Sequence, residues 1–246
     1  MSKPIIEISD LKKQFTMGEE IVNALRGVHL KVEEGEFVTI MGTSGSGKST
    51  LLNILGCLDK PSSGDYYLDG VSVKELDKNA LAEIRNLKIG FIFQSYNLLA
   101  RTTALENVEL PLLYNPAVSA TERRQRALGA LKKVGLETRL NHMPNQLSGG
   151  QQQRVAIARA IVNNPVILLA DEATGNLDTR TSYGVMSLFQ ELNNNGMTIA
   201  FVTHESDIAR FSKRTIVLKD GRITKDEPVS NRLIAAEELA ALPSAD

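Results

Sequence analysis

The stretch "GTSGSGKST", residues 42–50, constrains this chain more than any other. It follows the β-rich run "FVTIM" and opens "KSTLLNILGCL", whose apolar residues recur at the helical spacings of three and four. Residues 42–49 fit G-x-x-x-x-G-K-[ST], and a strand before it with a helix after it is the context that makes this pattern a phosphate loop. Glycines let successive backbone N–H groups converge on phosphate oxygens, and the helix N-terminus adds a favourable dipole. Gly42, Ser44, Gly45, Ser46, Gly47 and Thr50 are therefore candidate nucleotide contacts. Lys48 is placed to reach β- and γ-phosphates, and the Ser49 hydroxyl to coordinate Mg²⁺.

The rest of the chain suits that loop. Strand signals "IIEI" and "VHLKV" precede it, and "DYYLDG" and "LKIGFIFQ" follow. From residue 95 to 165 the pattern turns helical: "TERRQRALGALKKVG" puts Leu128, Leu131 and Val134 on one face, and "SGGQQQRVAIARAIVNNP" is a second helix with Ser148 as its N-cap. Then "VILLA" reads as a strand covered on both faces, "TSYGVMSLFQELNN" as a helix, "MTIAFVTH" as a strand, and "RTIVLKDGRITK" as a hairpin about Asp220 and Gly221. The pattern predicts an α/β fold with a mainly parallel sheet in 1–94 and 166–230, an inserted helical part in 95–165, and a short helix with a frayed tail in 231–246. A chain of 246 residues is long for one compact core and short for two independent domains.

Composition excludes several functions. A formal net charge of -1 provides no field for nucleic acid, and tryptophan is absent. The single cysteine, Cys57, rules out an internal disulfide and a multi-cysteine zinc site, and its place in "NILGCLDKP" reads as buried packing on the apolar side of a helix. No apolar run approaches the roughly 18 residues of a membrane span, and the N-terminus shows no secretory h-region. The expectation is a cytoplasmic chain that meets a membrane only through a partner.

Three strand ends carry further chemistry. "VILLADE" ends in Asp171, placed to hold a Mg²⁺ shell, and Glu172, free to polarise an attacking water as general base. Gln94 ends "IGFIFQ" and can reach metal and water without adding charge; His204 ends "AFVTH", where an open α/β sheet presents its ligand crevice. "NQLSGGQQQR" adds a second anion-seeking helix start, with the Ser148 hydroxyl and the amides of Ser148, Gly149 and Gly150 suited to a γ-phosphate.

These motifs, in this order, resemble the ATP-binding cassette (ABC) ATPase family. The phosphate loop, Gln94, "LSGGQ" (147–151), "LLADE", "GNLD" (175–178) and His204 all fall where that family places its motifs, and the resemblance spans essentially the whole chain. It implies a P-loop NTPase (RecA-like) core, an N-terminal antiparallel β subdomain and an inserted helical subdomain bearing the signature. It implies ATP and Mg²⁺ as ligands and a head-to-tail dimer, in which Ser148 to Gln151 of one copy face the ATP held by the other and Asp178 lies between the two sites. It further implies that Phe15 stacks on adenine. One departure is Ala173, where the family usually has proline, so the turn after Glu172 is expected to be less rigid. "NILGCLDKPSSG" and "TALENVELPLLY" are similar to the macrolide-export and lipoprotein-release (MacB/LolD-type) branch, which implies an integral membrane permease of the MacB/LolC/LolE type as partner. Tyr96, Leu98 and Leu99 are candidate contacts for it. The alternative within the same family is a nucleotide-gated regulator of low turnover.

Overall fold

The computed structural model describes residues 3–243. Two long strands, β1 (Pro4–Met17) and β2 (Glu20–Glu33), form an antiparallel hairpin. They are followed by β3 (Phe37–Met41), the loop and α1 (Lys48–Leu55), then β4 (Ser63–Leu68), β5 (Val71–Ser72), α2 (Lys78–Lys88) and β6 (Ile89–Ile92). Three helices come next: α3 (Ala104–Glu109), α4 (Ala120–Lys133) and α5 (Gly149–Ile161). The chain then alternates through β7 (Ile167–Asp171), α6 (Thr179–Asn194), β8 (Thr198–Val202) and α7 (Ser206–Ala209). It closes with β9 (Arg214–Lys219), β10 (Arg222–Pro228) and α8 (Ala235–Ala241). One sheet is antiparallel in the order β2-β1-β4-β5; the other has the order β10-β9-β3-β8-β7-β6. In the second, β3 pairs in parallel with β8 and β9, and β7 with β6 and β8, while β10 returns antiparallel to β9.

The parallel strands are apolar because both faces are covered. Phe37, Leu168, Ala170, Ile199 and Phe201 point into a core shared with α3 to α6; Val38, Ile40, Ile167, Leu169, Ala200 and Val202 point into a core shared with α1 and the antiparallel sheet. Period-two alternation thus divides each strand between two clusters. The helices between β6 and β7 have no separate core, since Leu105, Leu131 and Val155 belong to the same cluster as Phe37 and Phe201. Phe189 of α6 sits at its centre, edge-on to Phe201 at 5.5 Å and tilted against Phe37 at 6.4 Å.

Some local expectations shift. The helix after the loop stops at Leu55, so Cys57 lies beyond it with φ +53, buried, and burial pushes its thiol pKa up to about 11. Strand β6 stops at Ile92, two residues before Gln94. The tight turn at Asp220 and Gly221 has φ +49 and +75, as a two-residue hairpin with the twist of its strands requires. Helix α8 is held by Gln190, whose amide donates to the carbonyls of Phe211 and Leu233 and accepts from the Ala235 N–H. The last residues of the expected 231–246 helix and tail, 244–246, lie outside the described residues.

Phe189→Ala removes the ring on which both neighbouring aromatics pack. It is expected to lower unfolding stability by about 3–5 kcal/mol, read as a lower urea midpoint.

Candidate active site

The phosphate loop is held by backbone contacts that leave no room for a side chain at Gly42 or Gly47. Gly47 caps α1 in a left-handed conformation, φ +103, and a Cβ there would lie 2.6 Å from the Ala24 carbonyl oxygen. A Cβ on Gly42 would lie 2.3 Å from the Leu218 carbonyl oxygen. The β9–β10 turn braces the loop from below: the Gly221 N–H donates to the Ser46 carbonyl at 3.0 Å, and the Arg26 N–H donates to that of Gly221 at 2.8 Å. Lys48 reaches back over the loop, its ammonium donating to the carbonyls of Gly42 at 2.8 Å and Thr43 at 3.0 Å.

The acidic pair closes the opposite wall. Asp171 is the last residue of β7, half-buried, and its pKa is raised by burial and then by the neighbouring Glu172 charge, with Lys48 opposing. Glu172 donates its N–H to the Val202 carbonyl at 2.9 Å and turns through φ +44, a left-handed conformation unusual for a residue with a long side chain. The turn brings its carboxylate to 2.8 Å from Nδ1 of His204. Gln94 lies beside them; a Cβ on Gly175 would be 2.9 Å from its Nε2, and the Asn176 amide donates to its carbonyl at 3.1 Å.

One cavity of about 890 Å³ gathers most of the expected residues: Ser44, Gly45, Gly47, Lys48, Ser49 and Thr50 on one side, Gln94, Asp171, Glu172 and His204 on the other. Others fall outside its lining. Gly42 sits beneath the loop, and the Ser46 hydroxyl is buried there without a hydrogen-bond partner among the described residues. Phe15 is exposed, with the Lys13 ammonium 5.0 Å from its ring centre; its cross-strand neighbour Val22 lines the cavity instead. Ser148 caps α5 in a reciprocal box: its hydroxyl accepts from the Gln151 N–H, and Gln151 Oε1 accepts from the Ser148 N–H at 3.0 Å. Gly149 and Gly150 also have a packing reason to be glycine, since a Cβ on Gly150 would meet Thr181 at 2.4 Å and one on Gly149 would meet the Tyr96 hydroxyl at 3.0 Å. Asp178 caps α6, accepting from the Thr181 N–H at 2.9 Å.

The cavity also takes in Asn23 and Arg26, which sequence reasoning did not single out, and Asp220, which it read only as a turn residue. Among the described residues no group of three or more His, Cys, Asp or Glu side chains is arranged as a metal site. The oxygen donors of Ser49, Gln94 and Asp171 nevertheless suit Mg²⁺, which binds through one or two carboxylates together with substrate phosphates.

A phosphate loop, an acidic strand end and a histidine at one edge of a parallel sheet define a P-loop NTPase. The ABC transporter family model matches residues 25–175. The chain is 56% identical over 227 residues to the ABC transporter ATP-binding protein MJ0796 of Methanocaldococcus jannaschii, spanning 91% of this chain and 97% of that one. It is 50% identical over 238 residues to the macrolide export ATP-binding/permease protein MacB of Hyphomonas neptunium, spanning 97% of this chain and 36% of that protein. The dimeric post-hydrolysis structure of the MJ0796 cassette bound to ADP and Pi superposes with a TM-score of 0.83 at 53% identity, covering 91% of this chain and 98% of that one. The chain therefore belongs to the ABC transporter family, as an ATP-binding, ATP-hydrolysing cassette of the MacB/LolD-type branch. Among the described residues no helix is long and apolar enough to cross a membrane.

Gly47→Ala forces a Cβ into the left-handed region and against Ala24. The conformation alone is expected to cost about 1–2 kcal/mol, read as a lower urea midpoint, and fluorescent ATP-analogue binding should weaken with it.

Proposed function

We propose that two copies of this chain close head to tail on ATP and drive an integral membrane permease of the MacB/LolC/LolE type from the cytoplasmic face of the cell membrane. The observation that carries this reading is the separation of two anion-seeking helix ends. Helix α1 opens into the cavity with Lys48 and Ser49, whereas α5 opens outside it at Ser148. The start of α5 packs against the start of α6 through Gly150 and Thr181, so the Ser148 hydroxyl and the first amides of α5 face the γ-phosphate held by a second copy, while Asp178 lies beside them between the two sites. That the similar MJ0796 cassette has a dimeric structure supports a pairing of two copies. In it Phe15 stacks on adenine from the hairpin tip.

Within each site Lys48 neutralises phosphate charge, and Glu172 takes the proton of the attacking water. His204 holds the Glu172 carboxylate through Nδ1 and leaves Nε2 for the γ-phosphate. Ser49, Gln94 and Asp171 would hold Mg²⁺, which when bound supplies charge neutralisation at the β- and γ-phosphate oxygens. Residues 1–94 and 166–230 form the catalytic core, 95–165 the helical subdomain and 231–246 the C-terminal tail. For the permease contact, Leu99 is the exposed candidate, Tyr96 is turned toward Gly149, and Leu98 packs against the core.

Glu172→Gln should bind ATP, lose hydrolysis by about 10²–10⁴-fold, and shift from monomer to dimer in light scattering when ATP is added. Lys48→Ala should bind ATP weakly and stay monomeric. An unchanged rate in Glu172→Gln would overturn the general base, and a monomer with ATP confirmed bound would overturn the head-to-tail closure.

A further inference from the structure

The chain just after Gln94 takes a conformation that its own residues disfavour. Tyr96 and Asn97 are both left-handed, with φ +58 and +49, and neither is glycine. A partner far along the sequence holds them. Arg159, in the last turns of α5, donates from Nη1 to the Asn97 carbonyl at 2.6 Å and from Nη2 to the Tyr96 carbonyl at 2.7 Å. The guanidinium is half-buried, and burial pulls its pKa below the usual value with no acidic group acting on it. Its donors therefore serve backbone carbonyls rather than a carboxylate, and both carbonyls belong to the double left-handed turn.

The same segment touches the other end of the helix. The Tyr96 hydroxyl lies against Gly149, the first residue of α5. Residues 96 and 97 are thus hydrogen-bonded near the C-terminal end of α5, the helix that opens with "LSGGQ", and Tyr96 packs close to its first residue. Two residues upstream, Gln94 is fastened to different structure, through the Asn176 amide at its carbonyl and the close approach of Gly175 to its side chain. Gln94 therefore stands between two anchorages, one on α5 and one on the loop that follows Glu172.

The geometry points to Arg159 as a positioning residue for Gln94. By locking the Tyr96 and Asn97 carbonyls to α5, it makes the entry of the Gln94 side chain into the nucleotide cavity depend on where that helix sits. A movement of the "LSGGQ" helix toward a second copy would then reach the hydrolytic site of its own chain through Arg159, with no contact between Arg159 and nucleotide. The inference rests on the reading of Gln94 as a metal- and water-facing residue.

The test is steady-state ATPase of the full chain at saturating ATP with Mg²⁺ titrated. The variants are Gln94→Ala, Arg159→Ala, Arg159→Lys and the Gln94→Ala/Arg159→Ala double variant. Binding of trinitrophenyl-ATP to each reports the fold and separates binding from turnover. Arg159→Ala is expected to lower kcat by about 10- to 100-fold, the scale of a catalytic group displaced by an ångström. Nucleotide affinity should be nearly unchanged and half-saturation should move to higher Mg²⁺. Arg159→Lys, which keeps the charge but not the two-pronged donor, should fall between wild type and alanine. The double variant should be no worse than the poorer single one, because both changes remove one interaction. Losses that multiply in the double variant, or wild-type kinetics in Arg159→Ala, would overturn the role of Arg159 while leaving Gln94 in place. Wild-type kinetics in Gln94→Ala would overturn the reading of Gln94 and this inference with it. If Arg159→Ala does not bind nucleotide, the same cycle run with Arg159→Lys decides by the same criteria.

Discussion

The register of three parallel strands sets the distances on which everything else depends. Ile40 of β3 lies opposite Val202 of β8, and Val202 lies opposite Asp171 of β7. All three strands therefore end at one level, and the loop, the acidic pair and His204 emerge side by side. A slip of one residue in β7 would exchange its two faces, sending Leu168 and Ala170 into the wrong core and turning Asp171 away from the cavity. The apolar strand residues keep the register because each face packs into its own cluster.

Part of the unfavourable backbone lies near the same edge. Glu172, Tyr96 and Asn97 are left-handed residues within reach of the cavity, and each is held by a long-range hydrogen bond or by its own fixed strand. Such conformations persist only where surrounding structure over-determines them. At Glu172 the turn decides the contact, because a carboxylate that left the strand in extended conformation would continue the alternation away from His204 instead of meeting it at 2.8 Å. Ala173, where the family usually has proline, is buried behind this turn, so packing holds it in the absence of a ring.

The helical part draws its rigidity from the sheet. Its residues share a cluster with Phe201 and Phe189, and Asn107, fully buried, ties the 99–103 segment through bonds to the carbonyls of Leu99, Thr102 and Thr103. The capped start of α5 is thereby presented at a defined place outside its own cavity. The same chain that opens α1 into the cavity thus holds the start of α5 outside its lining.

Much of this was legible in the residues. The loop, the acidic strand end, the Ser148 cap and the Asp220–Gly221 turn are decisions of local backbone, and local residue types record them directly. The sequence determined that this chain binds nucleotide phosphate and which elements carry the machinery. Tertiary structure alone decided that Ser46 turns its hydroxyl under the loop, that Val22 rather than Phe15 lines the cavity, and that Gly150 makes room for Thr181. It alone paired Glu172 with His204 and fastened Arg159 to Tyr96 and Asn97. Those contacts join residues distant in the chain, and whether they form depends on how whole strands and helices pack, a quantity to which no short stretch of sequence contributes more than a part.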